Sequence, residues 1–187
     1  MASNANGGTA GVRVPWRFLG WGGAVALLLL PLIAMQFTHE VNWTLSDFIF
    51  AGVIFAIVGG TFELAVRASG NWAYRAAVAL ALAGGFFTVW INLAVGIVGN
   101  EDNPINLVFF VTILIAVAGS ISARFAAEGM KRAMAVTGIF QALVGLFIFF
   151  ADIGSGDPPG AIKLLILILV LAGFWLASAL LFRKAAA

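Results

Sequence analysis

An apolar chain can do chemistry only where it carries ionisable or amide side chains into its hydrophobic runs, and here those are few. Glu63 is the first. It falls inside the apolar run over residues 48–66. At about 100° per residue it lies about 20° around a helix from Gly52, on the face that also carries Ala56 and Gly60. A carboxylate there is costly unless it is neutralised, hydrogen-bonded or paired. Arg67 follows four residues later on the same face. Two readings stay open: an ion pair reached by snorkelling near the end of a span, or a protonatable or cation-binding group at the inner end of a pathway.

Thr88, Asn92 and Gln141 complete the candidate intramembrane polar site. Each belongs to a four-residue series with small neighbours: Gly84, Thr88, Asn92 and Gly96; then Thr137, Gln141 and Gly145. Thr112, Ala116 and Ser120 repeat the pattern between them. The spacing keeps each set on one helix face, which serves either close helix packing with interhelical hydrogen bonds or the lining of a polar cavity.

A second candidate is the acidic set Glu40, Asp47, Glu101, Asp102, Asp152 and Asp157, offset only by Lys163. If their loops converge, they and the Asn100 and Asn103 amides suit a hard divalent cation or a cation-concentrating pore mouth. The plainer alternative is that they occupy the side of a membrane that carries few Lys and Arg. EF-hand spacing is missing, so no metal is assigned. His39 is the only histidine and cysteine is absent, which excludes bis-His haem ligation, His-based zinc sites and thiolate chemistry. A single axial contact from His39 to a porphyrin stays open beside an exposed loop position. Phosphate-loop, GxSxG and HExxH patterns are lacking, and Ser120 and Ser122 have no membrane histidine as base. Lys163 sits at the start of the last run, not deep within it as a retinal Schiff base requires. No enzymatic activity is expected.

The elements that must position these residues follow from composition. Of 187 residues, 63% are hydrophobic and 10% charged, against the roughly 25% charged of a soluble domain. Uncharged runs cover residues 18–39, 76–100, 103–123, 133–151 and 164–182, and the run over 48–66 holds only Glu63. Each approaches the ~20 residues that a helix needs to cross ~30 Å of hydrocarbon. The connecting segments alternate in sign. Arg13/Arg17, Arg67/Arg75, Arg124/Lys131/Arg132 and Arg183/Lys184 are basic, and the acidic set lies between them. Lys and Arg gather on the cytoplasmic side, so the pattern predicts an all-α polytopic bundle of six transmembrane helices with both termini cytoplasmic. The net charge of +2 and pI near 9.5 reflect these anchors and imply no nucleic-acid partner.

Residues 1–16 read as a disordered cytoplasmic tail and 17–184 as the transmembrane domain. Helices are expected over about 18–39, 48–66, 75–98, 105–123, 131–153 and 161–182, with Pro31 kinking the first and Pro104 opening the fourth. Residues 48–104 and 105–159 each form a hairpin with Arg at both ends of its inner turn and a closing Gly-x-x-Asp-x-Pro. Tandem duplication and independent reuse of turn residues both account for this.

The stretch over residues 34–48, AMQFTHEVNWTLSDF, resembles a segment of an uncharacterised family of small bacterial six-helix integral membrane proteins. Residues 90–96 (WINLAVG) and 101–104 (EDNP) are similar to it as well, so the likeness covers helices 1–4. His39 stands where that resemblance leads one to expect an acidic residue. It implies a bacterial inner-membrane protein and brings no activity. The expected role is a structural or accessory component that packs with other membrane proteins or with itself in the lipid bilayer. The alternatives are a small transporter or channel for ions or small solutes, using Glu63, Asn92 and Gln141, and the holding of an apolar cofactor or lipid between helices.

Overall fold

Local hydrogen bonds begin and end the helices at positions that hydropathy alone does not mark. The computed structural model describes residues 16–39, 41–154 and 160–187. The expected tail up to residue 15, Glu40 and Asp157 lie outside them. Six α-helices follow in order: α1 (Trp16–Ala34), α2 (Leu45–Ala68), α3 (Trp72–Ala94), α4 (Leu107–Ser122), α5 (Ala127–Phe150) and α6 (Ala161–Ala186). A 3-10 turn, Pro104–Asn106, leads into α4, and no strand occurs among the described residues. The chain divides into two compact units, residues 1–59 and 60–187.

In the first unit α1 stops at Ala34, short of the expected end at residue 39. Downstream of Pro31 the chain leaves through turns in which Met35 N–H donates to Pro31 O (2.9 Å) and Gln36 N–H to Ile33 O (2.9 Å). The start of α2 is set by Thr44 and Asp47. The Asp47 carboxylate accepts from the Thr44 N–H (2.7 Å) and from its hydroxyl (2.8 Å). This is the return half of a capping box, and it opens the helix three residues before the apolar run suggests.

The second unit is a four-helix bundle. α6 packs most extensively on α5 and next on α3, α4 packs on α5, and α3 meets α4 sparsely. The connections make neighbours antiparallel, so most charges separate along the bundle, apart from Glu128, paired with Lys131 and Arg132 at the basic end, and Lys163 at the acidic end. Arg75, Arg124, Lys131, Arg132, Arg183 and Lys184 lie at one end, and Glu101, Asp102 and Asp152 at the other. Interior residues form two clusters. Toward the basic end are Ala77, Val78, Ala116, Met130, Met134, Trp175, Ala179 and Phe182. Toward the acidic end are Ile97, Val98, Phe109, Ile148, Leu164, Ile168 and Leu171. Large apolar side chains also cover the outside, among them Leu114, Ile121, Val136, Leu143, Phe147, Ile166 and Leu180. An apolar exterior over a packed interior suits hydrocarbon as solvent.

Five helices are long and apolar enough to cross a membrane: α2, α3, Pro104–Ser122, α5 and α6. The described residues are therefore all-helical and carry five such spans.

The basic end is fastened by side chains to backbone. Asn71 caps α3 by accepting from Ala73 N–H, and Arg75 donates to Ser69 O (2.6 Å) and Val66 O (2.8 Å). Lys184 lies 4.6 Å over the Trp72 ring. In the α4–α5 turn Arg124 and Phe125 both adopt left-handed backbone, φ 48° and 57°. Non-glycine residues resist that conformation. The Tyr74 hydroxyl donates to Phe125 O (2.8 Å) and holds the turn. Tyr74→Phe is expected to lower the unfolding free energy by about 1 kcal/mol, read by reversible unfolding in lipid bicelles.

Candidate functional site

Glu63 and Arg67 lie one turn apart near the end of α2 and form an ion pair. The Glu63 side chain is 12% exposed and that of Arg67 63%. The small-residue face upstream of them is open: a Cβ added at Gly60 would meet nothing within 4 Å among the described residues. That differs from α3 and α5, where the corresponding faces are buried.

On α3, Gly84, Thr88 and Asn92 all point inward, and on α5 Thr137, Gln141 and Gly145 do so. The reason lies on α6. Trp175 wedges into the bundle at the level of Gly84 and Gly85, whose Cβ positions lie 3.5 and 3.4 Å from its ring. Its indole N–H donates to Gln141 Oε1 at 2.7 Å, with both residues buried. Indole is a donor only, so the amide oxygen must face it, and Gln141 Nε2 then points away without a protein partner. Ser178, one turn along α6, donates to Ala77 O at 2.8 Å and ties α6 to α3.

Asn92 belongs to a different arrangement at the acidic end. α3 stops at Ala94, four residues before the expected boundary, because Gly96 takes φ +73°. A Cβ there would lie 2.3 Å from the Asn100 carbonyl, so only glycine fits. The chain folds back and buries Ile97 and Val98 inside the bundle mouth. Asn106 clamps it. Its Oδ1 accepts from Val98 N–H (2.9 Å), and its Nδ2 donates to Val98 O (3.2 Å) and Asn100 O (2.7 Å). Asn92 Nδ2 in turn donates to Asn106 O at 3.1 Å. Asn92 thus serves a buried loop, and its Oδ1 has no protein partner.

Glu63, Arg67, Thr88, Asn92 and Gln141 are therefore not one constellation. The pair lies on α2, Asn92 joins the loop clamp, and Thr88 and Gln141 lie deeper in the bundle. Of the acidic set, Asp47 is engaged in capping α2. Glu101, Asp102 and Asp152 are exposed, and no three acidic or histidine residues gather into a metal-holding group among the described residues. His39 is exposed.

Two organising residues carry no weight in the sequence reading. Trp175 sits in mid-span, whereas membrane tryptophans favour the interfaces, and that displacement signals a buried polar partner. Asn106 has only its place after Asn103-Pro104 to recommend it. An open apolar groove between the start of α4 and the later part of α5 is lined by Ile105, Val108, Phe140, Leu143, Val144, Phe147 and Ile148. Compared with known protein families, curated proteins and solved structures, the chain finds no match.

Proposed function

We propose that this chain is a non-enzymatic, multi-pass protein of a bacterial inner membrane, a structural or accessory component that packs with other membrane proteins or with a second copy. It crosses six times, with both termini cytoplasmic. The observation that carries the role is the bond between Gln141 and Trp175. A polar side chain that a transport path would present to a solute is instead tied across a helix pair. Asn92 is likewise engaged, donating to the Asn106 carbonyl ahead of α4, and Glu63 is paired within its own helix with Arg67. The orientation rests on the separation of basic and acidic residues along the bundle.

The test is reconstitution in liposomes. The protein is expected to pass neither ions nor small solutes, and to co-purify with a membrane partner or with itself in mild detergent. Measured flux would overturn the role. Glu63→Gln is expected to lower stability by about 1 kcal/mol or less, since Arg67 is largely exposed; loss of a flux instead would mark Glu63 as part of a pathway. For topology, Glu101→Cys and Arg124→Cys should be labelled from opposite compartments.

A small transporter or channel is the second reading. One observation favours it: Thr88 Oγ1, Asn92 Oδ1, Thr112 Oγ1 and Gln141 Nε2 are buried without partners among the described residues.

A further inference from the structure

Three of those unpartnered atoms lie at a similar depth on three helices. Asn92 on α3 and Asn106 before α4 are in hydrogen-bond contact, which sets the register of the two helices. Thr88 lies four residues from the first and Thr112 six from the second, so both sit about 6–9 Å deeper. Gly85 and Ile113 confirm the level, since a Cβ at Gly85 would lie 3.9 Å from Ile113 Cδ1. The Trp175 ring touches that same level of α3 and delivers its N–H to Gln141. α3, α4 and α5 therefore each bring one buried polar group to about the same level, where Trp175 of α6 also lies. Thr88, Thr112 and Gln141 are at most 1% exposed.

The two hydroxyls are informative by their rotamers. A threonine or serine without an interior partner bonds back to the carbonyl four residues earlier, as Thr137 does to Ala133 O and Ser120 to Ala116 O. Thr88 and Thr112 do not take that bond. The layer thus offers two hydroxyls, which donate or accept, and an amide NH2 that only donates. No ionisable side chain stands among them, so an ion would be uncompensated in a low dielectric. The occupant that matches is neutral and small, and both accepts and donates.

We propose that Thr88, Thr112 and Gln141 hold a small internal water cluster that bridges α3, α4 and α5 in the hydrocarbon-level interior of the bundle. It holds under either reading of the function. A water there needs two to four polar partners, and the three side chains supply them.

The experiment is a sign test. If the layer is wet, Thr88→Val and Thr112→Val each remove a partner of the water and lower the folding constant about three- to tenfold. Together they lower it by less than the product, because they share one guest. If the layer is dry, each substitution removes an unsatisfied hydroxyl, and the folding constant rises or stays level. Thr137→Val, whose hydroxyl bonds back within its own helix, is the near-neutral control. A rise or no change for either test variant overturns the proposal. Should a valine variant fail to fold, a structure of the unaltered protein in lipid decides, at a resolution that reveals other waters. Density within hydrogen-bond distance of Thr112 Oγ1 and Gln141 Nε2 supports it, and none overturns it.

Discussion

Asn106→Ala should lower the unfolding free energy of the bundle by about 4 kcal/mol, among the largest effects that a single polar truncation can have. One side chain satisfies Val98 N–H, Val98 O and Asn100 O, and Val98 is fully buried. Buried backbone groups left without partners each cost roughly 1–3 kcal/mol, and hydrocarbon offers no water in exchange. The fold-back around Gly96 would lose its anchor, so residues 95–103 should also become cleavable by protease from the acidic side. Asn103→Ala is the comparison. The Asn103 side chain accepts from Ile105 N–H, at 3.1 Å, and its loss should cost about 1 kcal/mol. Equal effects from the two substitutions, read by unfolding in bicelles, would sink the clamp.

That clamp also marks where sequence reading reaches its limit. Hydropathy locates apolar runs and cannot tell a helix from a buried loop of the same composition. Ile97 and Val98 therefore read as the last turn of α3. The cue was the glycine pair at 96 and 99, both at positive φ in the structure, and it lies inside a run apolar enough to hide it. Local pairs are better served. Glu63 and Arg67 meet as their spacing requires, because four residues on a helix fix the distance without help from the rest of the fold. Asn92 and Gln141 are legible as inward-facing, since periodicity carries that. Their partners are not, because Asn106 and Trp175 are 14 and 34 residues away and only the packed bundle brings them close. The acidic set is no more legible, for a related reason. Its convergence depends on loop paths, whereas Asp47 was already explicable locally by the Thr44-x-x-Asp47 pattern.

One chemical change made at two glycines of the bundle should act in opposite directions. Gly145→Ala on α5 is expected to destabilise by about 2–3 kcal/mol. The added Cβ would lie 2.7 Å from Ile168 Cγ2 and 3.2 Å from its Cβ. Ile168 is fully buried and β-branched, so it has no rotamer into which to retreat. α5 and α6 must then move apart, and apolar lipid offers no hydrophobic force to push them back. Gly173→Ala on α6 meets nothing within 4 Å. It should be neutral or stabilise by up to about 1 kcal/mol, the gain of alanine over glycine within a helix. Ile168→Ala removes the obstructing Cγ2, so Gly145→Ala in that background should cost less than in the native chain. The four unfolding free energies, measured in one lipid, decide the matter. Strict additivity would mean that Gly145 and Ile168 do not touch, and the α5–α6 packing that buries Gln141 beside Trp175 would have to be redrawn.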